Sequence, residues 1–193
     1  MTQNLVKALI RYFLELSPGA GRTDVVKFLY LSDVEARKYL GKPISHLNYI
    51  LYDYGPFDSD IYFHLDDMEA AGAINCERYS YKNTTCYRYS VTKLDTDRPF
   101  RKEEMLILDS IADAVRRTPL KDLLSDIVYQ TEPMLDAKAR ELPSGSRLRM
   151  DLVNNKGRIP GLELEKMLGA ISDLDEGKGV PLEKFLEELA IKA

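Results

Sequence analysis

A chain of 193 residues with 45% apolar and 30% charged residues has the composition of an ordinary globular protein, one compact domain with room for a small extension. Its 27 basic and 31 acidic residues leave a net charge of −4, which argues against non-specific nucleic-acid binding as the main activity. No apolar run approaches the roughly 18–20 residues that span a bilayer, and two histidines without a tryptophan leave little material for a metal cluster or a histidine relay.

The polar start Met1-Thr2-Gln3-Asn4 does not resemble a signal peptide, and two cysteines fit a reducing, cytoplasmic setting. Leu5, Leu9, Tyr12, Phe13 and Leu16 recur at helical steps, predicting a helix over 4–16 that Ser17-Pro18-Gly19 stops. Thr23 is the expected N-cap of a second helix, with Asp24 in its first turn. That helix ends at Gly41, and its apolar residues cover nearly the whole circumference, so it is central. His46–Tyr54 reads as a short strand or extended segment ending at Gly55-Pro56. Asp58 or Ser59 then caps a third helix, with Ile61, Leu65 and Met68 on one face and Gly72 at its close. Two tyrosine-rich runs, 74–81 and 86–91, form a β-hairpin, with Tyr79 and Tyr81 on one side of the first strand and Tyr87 and Tyr89 on one side of the second. Asp95–Pro99 is the best internal break. Helices follow from Arg101 to Arg117 and from Pro119, the latter burying Leu120, Leu123, Leu124, Ile127 and Val128. Residues 141–160 read as a polar loop, and two amphipathic helices, near 162–174 and 181–191, finish the chain.

The expected fold is mainly α with a small β-hairpin: a winged-helix-like domain over 1–140 and a C-terminal helical extension over 141–193, packed on the same domain. A winged helix that reads DNA sets its third helix in the major groove. Here residues 58–71 carry Asp58, Asp60, Asp66, Asp67 and Glu69 and no Lys or Arg. That charge disfavours DNA and leaves the hairpin, with Arg78, Lys82 and Arg88, as the one element suited to phosphates.

Lys27-Phe28-Leu29-Tyr30-Leu31-Ser32-Asp33, Gly41-Lys42-Pro43-Ile44 and Tyr54-Gly55-Pro56-Phe57, followed by Ala71-Gly72-Ala73-Ile74, occur in that order. This ordered set resembles the Panacea antitoxin-domain proteins, the SocA-like family, over about residues 5–135. The chain departs from that pattern where the family often shows a His and, a few residues later, Pro and Trp. Here Tyr129 and Met134 flank the retained Pro133. The resemblance implies a protein that binds and neutralises a partner toxin, in some members by presenting it to a AAA+ protease. It implies no catalysis, no cofactor and no metal.

Such a role puts the weight on surface residues. Tyr54, Gly55, Pro56 and Phe57 read as a rigid corner orienting the third helix, or as the edge that meets a partner. Asp33 stands four residues before Arg37, in the acid-first order that favours a helical ion pair, and with Lys27 and Tyr30 it makes a half-buried polar cluster or a partner-facing patch. His64 lies between Asp60 and Asp67, which on one helix face favours its protonated form. Twelve tyrosines are the compositional excess. Tyr79, Tyr81, Tyr87 and Tyr89 are placed either to fill the core or to supply rigid contact area to a protein. Cys76 and Cys86 lie on opposite arms of the hairpin with no second ligand pair, so zinc is not expected. Gly19-Ala20-Gly21 lacks the ending of a phosphate loop, and 173–184 has Lys184 where a calcium loop needs its bidentate Glu.

Overall fold

A computed structural model describes residues 2–82, 84–94 and 98–153. The two predicted C-terminal helices and Asp95–Asp97 of the predicted break lie outside the described residues. Within them the chain is mostly helical, with two small antiparallel two-stranded sheets.

Helix α1 (Thr2–Leu16) buries Leu9, Tyr12 and Phe13 along the predicted stripe. Helix α2 (Arg22–Leu40) starts earlier than expected. Its N-cap is Gly21, not Thr23, because the Asp24 carboxylate reaches back to accept the Gly21 N–H at 2.8 Å. It ends as predicted on Gly41, whose left-handed φ of 73° lets its N–H return to Arg37 O. α2 is buried along most of its length, and Phe28 stacks on Phe13 of α1 with ring centres 4.5 Å apart.

The extended segment after α2 becomes a hairpin. β1 (Ile50–Tyr52) pairs with β2 (Gly55–Phe57), so Gly55-Pro56-Phe57 is a strand and not the corner that ends one. Asp58 caps α3 (Ser59–Ala70), accepting from Asp60 N at 2.9 Å and Asn48 N at 2.7 Å. Ile61, Leu65 and Met68 are buried. β3 (Ile74–Tyr81) pairs with β4 (Thr84–Val91) in the predicted hairpin, in register from Ile74↔Val91 to Tyr81↔Thr84. Backbone bonds from Gly19 N to Tyr89 O and from Tyr89 N to Ala20 O stitch β4 to the α1–α2 turn.

Beyond the predicted break, α4 (Lys102–Arg117) packs on α2, and Phe100 sits edge-on to Tyr12 at 5.7 Å. The chain on both sides of the break therefore shares one core. The single helix expected from Pro119 is instead three short pieces: α5 (Leu120–Asp122), a π-helical turn (Leu123–Ile127) and a 3-10 turn (Val128–Gln130). The reason lies in the spacing of its anchors. Leu123 and Val128 are both fully buried and stand five residues apart, which suits a widened i→i+5 turn, while Leu120 is left 40% exposed. Helix α6 (Glu132–Ala139) follows, with Pro133 in its first turn, in a stretch to which the sequence pattern assigned no element. The polar loop beyond it is held in place. Gly145 N donates to Leu51 O, Leu51 N to Ser146 O and Leu148 N to Tyr49 O, so β1 is bonded along both edges. No helix among the described residues is long and apolar enough to cross a membrane.

Candidate functional site

Lys27, Tyr30 and Asp33 of α2 do not form one cluster. All are buried, and each anchors a different element. Asp33 does not pair with Arg37. Its carboxylate accepts from the N–H groups of Ile44 and Ser45 at 2.8 Å each, from Ser45 Oγ, and from Tyr49 Oη at 3.1 Å. Burial raises its pKa, and the bonds from Ser45, Ile44 and Tyr49 pull the other way. At 1% exposure Asp33 is closed to direct contact by a partner and organises the chain entering β1. Tyr30 Oη shares a 2.6 Å hydrogen bond with Thr131 Oγ1 at the start of α6. Lys27 Nζ donates to Pro56 O at 3.0 Å, and burial lowers its pKa to about 8.

Lys27 thus lies behind the Tyr-Gly-Pro-Phe motif. Gly55 has φ of +87°, and a Cβ there would fall 2.9 Å from Tyr129 Cε1 and 3.6 Å from Lys27 Nζ, so no side chain fits. Gly55 and Pro56 are buried, while Tyr54, at 66% exposure, and Tyr52, at 50%, project from the hairpin. From Tyr52 a chain of ring contacts runs through Phe57 (5.4 Å) to Tyr62 of α3 (5.0 Å). Arg22 extends it, its guanidinium 4.7 Å from the Tyr62 ring centre and 3.8 Å from that of Tyr87.

β3–β4 separates its tyrosines by face. Tyr87 and Tyr89 lie on the side facing the body, where Tyr89 is fully buried and its hydroxyl accepts from Arg22 Nε at 2.8 Å. Tyr79 and Tyr81 lie on the opposite side, 37% and 60% exposed, with Arg88 over Tyr79 at 4.7 Å and Lys82 over Tyr81 at 5.4 Å. Cys76 sits opposite Tyr89 and Cys86 opposite Tyr79, so the two thiols point to different faces.

The acidic surface of α3 is compensated from neighbouring elements, a fact its own sequence does not carry. Asp66 pairs with Arg22, Asp67 with Lys7, and Glu69 takes both terminal nitrogens of Arg78 at 2.6 and 2.7 Å. Arg78 is therefore engaged within the chain rather than presented to a phosphate. His64 reverses the expectation of a charged surface imidazole. It is 4% exposed, its Nδ1 is buried without a hydrogen-bond partner, and burial together with Lys7 lowers its pKa despite Asp60, Asp67 and Asp58. Among the described residues no group of three or more His, Cys, Asp or Glu is placed to hold a metal ion.

A groove of about 610 Å³ separates β1–β2 from the segment running through the π turn and α6. Gly55 and Tyr129 line it, as do Leu51 and Met134.

Residues 25–133, more than half of the chain, match the family model of the antitoxin SocA-like Panacea domain. The chain belongs to this family. Searches of curated proteins and of solved structures found no match. The Panacea domain of this chain thus spans α2 to the first turn of α6, with its four sequence motifs on α2, in the turn after it, at the β1–β2 turn and β2, and between α3 and β3.

Proposed function

We propose that the chain is an antitoxin-type protein that neutralises a partner toxin by binding it directly, without catalysis. Membership of the Panacea family carries this reading, and the surface supports it. Tyr52, Tyr54, Phe63 and Tyr81 are each at least 50% exposed, set on two hairpins and a helix of the domain. Exposed tyrosines on rigid elements give large contact area at small entropic cost. A patch burying on the order of 1,200–2,000 Å² in total is enough to cover a toxin's working surface. The rival reading, a winged-helix regulator that decodes DNA, asks α3 to meet phosphates with no basic residue of its own and with Arg78 committed to Glu69.

Co-expression tests the proposal. A neighbouring reading frame that is lethal alone should become harmless when expressed with this chain, and the two products should co-purify. Repeating the rescue in a host lacking AAA+ proteases separates simple neutralisation, which persists there, from adaptor action, which does not. Unrelieved lethality with this chain folded and abundant would dismiss the antitoxin reading.

A further inference from the structure

The groove between β1–β2 and α6 lies beside the buried Gly55 and has an apolar floor. Its buried and half-buried lining is largely apolar, from Leu51, Tyr129, Met134, Ala137 and Leu142, and its exposed lining mixes polar and charged side chains with Leu135 and the Tyr52 ring. An apolar floor with a polar rim is the anatomy of a site that takes an apolar side chain.

Three departures from regular backbone converge on it. Gly55 holds its left-handed φ with no room for a Cβ against Tyr129. The π turn supplies Ser125 to one wall. Glu141, a non-glycine residue, sits at φ of +49° on the rim. A conformation of that kind costs on the order of 1 kcal/mol or more and persists where the surroundings impose it, which is characteristic of binding sites.

Charge selects the occupant. Asp53 on the hairpin side and Glu141 beyond α6 are carboxylates, Lys138 is the one cation of the lining, and none of the three joins an ion pair among the described residues. The acids of α3 that flank the β3–β4 hairpin, by contrast, already have partners. A segment bringing positive charge to both banks is complementary here and not there.

We propose that this groove receives a peptide segment of the partner protein that seats one apolar side chain on Met134 and Ala137, with Lys or Arg on either side meeting Asp53 and Glu141. This rests on the reading of the chain as a protein-binding antitoxin and adds to it a location and a chemistry.

The experiment uses the full chain and two synthetic nine-residue probes with a central Leu, one flanked by Lys and Arg, the other by Glu. The basic probe should give saturable shifts of the Met134 and Ala137 methyl signals in NMR, and the acidic probe should bind at least about tenfold more weakly. Asp53→Asn and Glu141→Gln should each weaken the basic probe about two- to fivefold, an effect that fades with added salt. Both positions are exposed, so these variants keep the fold. Equal binding of the two probes, or shifts confined to β3–β4, would overturn the proposal. Toxin rescue that survives Asp53→Lys with Glu141→Lys would also overturn it and leave the antitoxin reading standing. Groove binding by a chain that rescues no neighbouring frame would sink that reading and leave the groove.

Discussion

The two hairpins of this domain invert the usual relation between strand length and anchorage. β3–β4 pairs eight residues on each strand, yet the face carrying Tyr79, Tyr81 and Arg88 is largely open, and its attachment comes from Tyr89, Ile74, the Arg22 clamp, the Arg78–Glu69 bridge and backbone bonds to the α1–α2 turn. β1–β2 pairs three residues on each strand and is fastened from several elements. Asp33 gathers the chain entering it, Lys27 holds the Pro56 carbonyl, Tyr129 closes on Gly55, and residues 145–148 bond its outer edge. A two-stranded ladder of that size is marginal by itself. Buried polar groups of α2, not strand pairing, hold Tyr52 and Tyr54 out to solvent. The first hairpin should therefore respond strongly to changes at residues it hides, and the second weakly to changes at residues it shows.

The largest effect is expected at Asp33. Asp33→Ala strands four donors in the interior and should cost about 3–5 kcal/mol, a large share of the roughly 5–15 kcal/mol that holds a domain together. Urea unfolding should show a lower midpoint at constant slope, with Asp33→Asn in between. A loss below about 1 kcal/mol would mean that the segment entering β1 is held by something else.

Lys27 gives the next effect, visible in its pH dependence. Its amine titrates at about 8 in the folded chain and near 10.4 when unfolded, so the unfolded state binds more protons between those values. Stability should rise with pH across that window, by on the order of 3 kcal/mol if the whole window is spanned. Tyr30 and Tyr49, held above the ordinary tyrosine value by burial, act in the opposite sense near pH 10. The informative quantity is therefore wild type minus Lys27→Met, followed by denaturant melts from pH 7 to 10. Parallel curves would show that Lys27 is solvated rather than buried beneath the hairpin.

This division between hairpins explains what the sequence made legible. Periodicity and caps placed α1, α2, α3 and β3–β4, because those elements bury one stripe or one face and end on Gly41, Asp58 and Gly72. The long-range pairings were out of reach. Nothing near Asp33 in the chain signals that its ligands are Ile44, Ser45 and Tyr49 rather than Arg37, and nothing near Asp66 signals Arg22. Leu120, Leu123, Leu124, Ile127 and Val128 follow helical spacing in the sequence, which masked the π turn between Leu123 and Ile127. The Tyr-Gly-Pro-Phe motif was visible as a special backbone site. Its physical reason, Lys27 on one side and Tyr129 on the other, required the fold.

Gly55→Ala sharpens that last point, since it combines a left-handed φ with a Cβ that meets Tyr129 at 2.9 Å, and should cost about 1–3 kcal/mol. Tyr129→Ala opens the space without altering φ. In a double-mutant cycle the pair should then be less destabilised than the sum of the singles, the difference reporting the steric part alone. Strict additivity would place the whole cost in the backbone.

The smallest effects test the second hairpin from its two faces. Tyr89→Phe removes the hydroxyl that accepts from Arg22 Nε and should cost about 1 kcal/mol, because Arg22 keeps Asp66 and the Tyr62 and Tyr87 rings. Tyr79→Ala deletes a whole ring on the open face and should still move stability by no more than about 0.5 kcal/mol, since what it loses is the contact with Arg88 at an exposed site. Thermal unfolding of the two variants side by side decides the matter. If the loss of an entire ring at Tyr79 costs more than the loss of one oxygen at Tyr89, the outer face of β3–β4 is packed against part of this chain and is not a free surface.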